Sequence, residues 1–188
     1  MGQYPVEAVR AMDRIARRAE RDPAGRRAAV HPAGSGAVDA CSWRVGPSPA
    51  SAEITRAVSY AACALAEELG AAVILTPTQS GGTAREVARY RPSMPIVAVA
   101  TNPTVLRQLA LEWGVVPLAG FPTRETEGTI QSAVEAARRH RLLRADDLAV
   151  VTAGTPNRPG STQLIRVVWG DEKRPLGATP RSSTGAAG

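Results

Sequence analysis

Two short segments of this 188-residue sequence carry residue types that could grip an anion. The first, TPTQSGGT, runs from Thr76 to Thr83. Gly81 and Gly82 let a backbone approach an anion closely, and Ser80 and Thr83 offer hydroxyl donors. If a helix starts here, its free N–H groups and positive dipole end face the same anion, which suits a phosphate. The second segment, GTPNRPGST, spans residues 154–162. Gly154, Pro159 and Gly160 would shape a projecting turn, and Arg158 could cover the anion. Each segment also has a plainer reading, the first as a helix cap and the second as a hairpin connection.

Other chemistry finds little support. Cys41 and Cys63 are too far apart for a CxxC pair, and His31 and His140 complete no metal-ligand spacing, so no metal site is expected. Asp146 and Asp147 precede an apolar run rather than follow one, and no His lies near either loop, so no general acid or base and no catalytic residue is assigned. The formal net charge is +6 but the positive residues are scattered, with Lys173 the only lysine. Nucleic-acid binding needs a clustered patch of cations and is not expected. No segment has the length or apolarity of a membrane span or a secretory leader, so a cytoplasmic protein is expected.

The elements that must position these loops follow from periodicity. Hydrophobic residues make up 44% and aromatic residues 4%, which suits small-residue helices on an aliphatic sheet. Residues 4–20 place Val6, Val9, Met12, Ile15 or Ala16, and Ala19 on one helical stripe, with Pro5 in the first turn. Residues 22–50 are aperiodic and rich in Gly, Pro, Ala and Ser, and read as a linker. After Ser51 as N-cap, Ile54, Val58, Ala61, Leu65 and Leu69 predict the buried face of a helix ending at Gly70.

Strands are then expected at 71–78, 96–101, 115–120, 148–154 and 163–169. Helices are expected at 83–90, at 103–113 with Asn102 as N-cap, and at 125–141. This alternation predicts a three-layer α/β sandwich built on a mostly parallel sheet. The short segment from Thr155 to Thr162 cannot hold a crossover helix, so the last strand should be antiparallel. Domain bounds are set at 1–21 for the first helix, 22–50 for the linker, 51–170 for the domain and 171–188 for a disordered tail.

The run TPTQSGGTAREVARYRPSMPIVAVATNP, followed by RQLALEWGVVPL, LRADDLAVVTAGTP and GSTQLIRVVWGDE, resembles the C-terminal regulatory domain of pyruvate kinases. The resemblance covers residues 53–170, and residues 1–20 are similar to the last helix of that family's catalytic barrel. It implies a five-stranded sheet of order 3-2-1-4-5, with the two loops meeting at the switch point to hold a phosphorylated allosteric effector. Carried over by position, Thr78, Gln79, Ser80, Gly81 and Thr83 match the family's phosphate loop, and Gly154, Pro159, Gly160 and Thr162 match its effector loop.

Gly82 departs from the larger, often basic or aromatic residue usual at its position. Thr129 and Ile130 stand where bisphosphate-binding members place an Arg. A sugar monophosphate or nucleoside monophosphate is therefore the expected effector. The complete family enzyme converts phosphoenolpyruvate and ADP to pyruvate and ATP with Mg²⁺ and K⁺. The barrel's metal-holding carboxylates, catalytic Lys and nucleotide clamp are not found here, so no cofactor is assigned and this chain is expected to be catalytically incomplete alone. A homo-oligomer, docking on a separate pyruvate kinase barrel chain, and an independent enzyme using the phosphate pocket are the remaining implications.

Overall fold

The computed structural model describes residues 4–20, 51–121, 123, 125–154 and 162–171. The chain divides into two units, Met1–Pro47 and Ser48–Gly188. Within the first unit, α1 spans Pro5–Glu20, with Asp13 and Arg17 paired at 2.9 Å one turn apart. Its apolar stripe is present as expected, but Val6, Val9, Met12 and Ile15 are 55 to 68% exposed.

The second unit runs α2 (Ser51–Leu69), β1 (Val73–Pro77), α3 (Gly82–Arg89), β2 (Ile96–Ala100), α4 (Pro103–Leu109), β3 (Val115–Ala119), α5 (Thr126–Arg139), β4 (Leu148–Gly154) and β5 (Thr162–Trp169). The sheet order is β3-β2-β1-β4-β5. β1 pairs parallel with β2 and β4, β2 pairs parallel with β3, and only the β4–β5 ladder is antiparallel. Both the expected order and the reversed last strand are found. The long expected tail and linker, 171–188 and 22–50, lie almost wholly outside the described residues, apart from Asp171.

Strand alternation divides the core into two layers. Ile74, Ile96, Ala98, Val115 and Val150 point to the face covered by α2, α3 and α4. Val73, Leu75, Val97, Val99 and Val151 point to the face covered by α5 through Ile130, Ala133, Val134 and Ala137. Because both faces are covered, the inner strands read as unbroken apolar runs rather than alternating ones. Each fully buried Ile or Leu, such as Ile74 and Leu75, contributes about 1.5–3 kcal/mol. At one sheet edge, Pro117 of β3 interrupts the outward donors that would otherwise invite another strand.

Two local expectations are corrected. The buried face of α2 is made by Thr55, Ser59, Ala62, Cys63 and Ala66, whereas Ile54 and Leu69 are about two-fifths exposed and Ala61 is exposed. The helix is turned by about one residue because small side chains let its backbone approach the sheet, which larger aliphatic residues would hold away.

The helix opened by Asn102 is also shorter than expected. Asn102 accepts from the Thr104 amide at 2.9 Å, as a cap should, but α4 stops at Leu109. Beyond it, the amides of Leu111 and Glu112 donate to carbonyls three residues back, and Gly114 at φ +67° turns the chain into β3. Leu111 is 89% exposed, so nothing apolar holds residues 110–113 in helical register.

Candidate anion-binding site

The strand β1 ends in a turn that leads directly into α3. Thr76 is fully buried, and the Thr78 amide donates to the Val99 carbonyl at 2.9 Å, so the chain leaves the sheet still anchored to β2. Thr78 Oγ1 then accepts the Gly81 amide at 2.9 Å and closes the turn. This hydroxyl, of a residue expected at the site from the family resemblance, makes the bond that shapes the loop. Gln79, Ser80 and Gly82 are exposed, and Gly81 is buried.

Gly81 is required by its geometry. Its φ is +83°, a region that L side chains rarely adopt, and an added Cβ would come within 3.1 Å of Leu109 Cδ2 on α4. Gly82 is under no such constraint, since a Cβ there would meet only Ser80 Oγ at 3.6 Å. The departure from a larger residue at position 82 therefore leaves open room beside the turn. α3 starts at Gly82 with no side chain capping its N-terminus, so its first-turn amides and positive dipole end are presented without an internal acceptor from Gly81.

Thr162, at the described end of the second segment, meets this turn. Thr83 Oγ1, in the first turn of α3, lies 2.6 Å from Thr162 Oγ1 at the start of β5. Both residues are more than nine-tenths buried. Each hydroxyl has one proton and two lone pairs, so within the pair one proton is shared and the other is left to donate elsewhere. Thr162 also pairs with Gly154 across the β4–β5 ladder, at a register shift between Ala153 and Gly154. Of the expected site residues, Thr78 to Thr83, Gly154 and Thr162 are thus gathered at the carboxyl ends of β1 and β4. Arg158, Pro159 and Gly160 lie outside the described residues.

Sequence reading missed the support behind the turn. Arg85 Nη1 donates to the Ser80 carbonyl at 3.3 Å, Nε to Glu112 Oε1 at 2.9 Å, and Nη2 to Gln108 Oε1 at 3.4 Å. The partners are 23 and 27 residues away, a separation that no local pattern reveals.

Elsewhere, the Asp147 carboxylate accepts the Arg144 amide at 2.9 Å just before β4, at the opposite end of that strand from Gly154. Burial, helped by Glu67, pushes the Cys63 thiol up to about 12, and its Sγ lies 3.8 Å from the Val87 carbonyl. This is an inert, protonated thiol rather than a nucleophile. Among the described residues, no group of three or more His, Cys, Asp or Glu side chains is placed to hold a metal ion, and no helix is long and apolar enough to cross a membrane.

Residues 56–168 match the family described as pyruvate kinase, alpha/beta domain. The chain is 39% identical over 171 residues to pyruvate kinase 2 of Synechocystis and 41% identical over 167 residues to a pyruvate kinase of Geobacillus stearothermophilus. Those alignments cover 89% and 88% of this chain but 25% and 26% of the relatives. A pyruvate kinase of Clostridium acetobutylicum is 33% identical over 88% of this chain and 32% of its own length. The chain thus spans about a quarter to a third of these relatives, and through the sheet and turns described above it belongs to the pyruvate kinase alpha/beta-domain family.

Proposed function

We propose that this domain is the effector-binding module of a pyruvate kinase and takes a phosphorylated metabolite where the Thr78–Thr83 turn meets the start of β5. The observation that carries this reading is the buried Thr83–Thr162 hydroxyl pair, which joins the two loops beside the uncapped start of α3. Backbone amides, a spare hydroxyl proton and the exposed Ser80 suit a phosphate dianion, because they offer donors without an opposing carboxylate in the turn. Arg158 of the neighbouring segment would add a cation.

A monophosphate is the better fit than a bisphosphate. A second phosphate would need a further cation near the start of α5, and that position holds Thr129 and Ile130. Thr129 Oγ1 donates to the Glu125 carbonyl at 2.9 Å, and Ile130 is buried in the core. A sugar monophosphate or a nucleoside monophosphate is the proposed ligand class.

Phosphoryl transfer from phosphoenolpyruvate to ADP is proposed to belong to the whole enzyme and not to these residues. That chemistry rests on positioned metal ions and cations around the transferred group. In the assembly, the exposed stripe of α1 is proposed to dock on a barrel or on a second copy of the chain, since an isolated helix of this length is marginal in water.

Calorimetric titration of the chain with a sugar monophosphate, a sugar bisphosphate and a nucleoside monophosphate tests the reading. Binding of a monophosphate below millimolar is expected. Ser80→Asp, which sets a carboxylate beside the phosphate, should weaken that binding by on the order of a few kcal/mol while leaving the fold intact. Equal binding by Ser80→Asp, or no binding by the wild type, would reduce the turn to a plain strand-to-helix connection.

A further inference from the structure

We propose that Arg85 is a positioning residue that holds the anion turn in place through a clamp with Glu112 and Gln108; this rests on reading the turn as an anion site. The turn is also held by the Thr78 amide on the Val99 carbonyl, the Thr78 hydroxyl on the Gly81 amide, and the Thr83–Thr162 pair. None of these holds the Ser80 carbonyl. Arg85, one helical turn onward, reaches back to that oxygen, in the direction that side chains lean on a helix.

The guanidinium is planar with donors fixed in a fork, so orienting one edge orients the other. Glu112 Oε1 and Gln108 Oε1 take Nε and Nη2, and Nη1 is thereby aimed at Ser80. The Arg85 and Glu112 side chains are 39% and 35% exposed, so the ion pair itself adds little to global stability. Its effect is local. The clamp ties the turn to α4 through Gln108 and to the segment after it through Glu112, and keeps the amides after Ser80 aligned before a ligand arrives.

The wild type, Arg85→Ala, Arg85→Lys and Glu112→Ala are compared by amide hydrogen exchange and by titration with inorganic phosphate, all in the full chain. The reporter is the Gly81 amide, which donates to Thr78 Oγ1. Arg85→Ala and Glu112→Ala should speed its exchange at least fivefold while the amides of β1 and β4 stay within twofold of wild type. Arg85→Lys, which keeps a donor but not the fork, should fall between. Phosphate should bind about tenfold more weakly to Arg85→Ala and about threefold more weakly to Arg85→Lys.

The exchange readout needs no ligand, so it separates the clamp from the anion reading. Wild type that binds no phosphate overturns the anion reading, and the exchange rates still decide whether the clamp holds the turn. Gly81 exchange unchanged in Arg85→Ala or in Glu112→Ala overturns the clamp. Uniform acceleration across β1 and β4 does so as well, because it would mean a general loss of stability.

Discussion

Thr83 Oγ1 and Thr162 Oγ1 are 2.6 Å apart although 79 residues separate them in sequence, and both side chains are buried. The bond fastens the first turn of α3 to the first residue of β5. Replacing one partner by an isosteric apolar residue strands the other hydroxyl in a dry setting, which costs about 1–3 kcal/mol. Thr162→Val should therefore lower the unfolding free energy from urea titration by that amount. The double variant Thr83→Val with Thr162→Val should be more stable than the sum of the single losses predicts, because nothing is left unpaired. Additive losses would mean that the two hydroxyls are satisfied separately.

Gly81 and Gly82 are adjacent and should respond in opposite ways to alanine. At Gly81 the positive φ and the approach of Leu109 both oppose a side chain, so Gly81→Ala should cost about 1–3 kcal/mol. At Gly82 a Cβ meets only ordinary contact, so Gly82→Ala should be neutral or stabilise by about 0.4–1 kcal/mol through the unfolded chain. Denaturant midpoints of the two variants compare the sites directly.

The Cys63 thiol gives the stability a defined slope at high pH. Its pKa is raised from 9.0 to about 12 by burial first and by Glu67 second. Below pH 9 both folded and unfolded states keep the proton, and the full stabilisation is present. Between pH 9 and about 12 the unfolded state loses the proton while the folded state retains it. Stability should then fall as pH rises, by up to about 1.4 kcal/mol per pH unit from this group. The difference in unfolding free energy between wild type and Cys63→Ala isolates the effect. In a Cys41→Ser background, alkylation of the folded chain at pH 8 should be slower than that of the unfolded chain by more than a hundredfold.

Among the described residues, the α/β domain draws its buried apolar residues from position 62 onward, in two layers that both close on the sheet. A chain beginning at residue 51 should therefore keep a cooperative thermal melt. Loss of the cooperative transition would mean that the preceding segment belongs to the fold.

The sheet was legible because its inner strands are covered on both faces and stand out as apolar runs, such as Val73 to Leu75 and Ile96 to Ala100. The antiparallel last strand followed from the shortness of the segment before Thr162. The face of α2 was not legible, because Thr55, Ser59, Ala62 and Ala66 are small and carry little hydropathic signal, while the conspicuous Ile54 and Leu69 point outward. At the site, residue types and family resemblance marked the turn and Thr162. Arg85 was missed because its meaning lies in partners on α4 and beyond, reached only through the folded sheet.

A phosphorylated ligand is proposed to sit where the Thr78–Thr83 turn meets the start of β5. Amide chemical shifts of the ¹⁵N-labelled chain, followed during titration with a sugar monophosphate, test it most directly. The account predicts saturable shifts centred on Ser80, Gly81, Gly82, Thr83 and Thr162, with the carboxyl end of β3 and the segment before β4 unmoved. Shifts centred on another part of the domain, or none up to millimolar ligand, would contradict it.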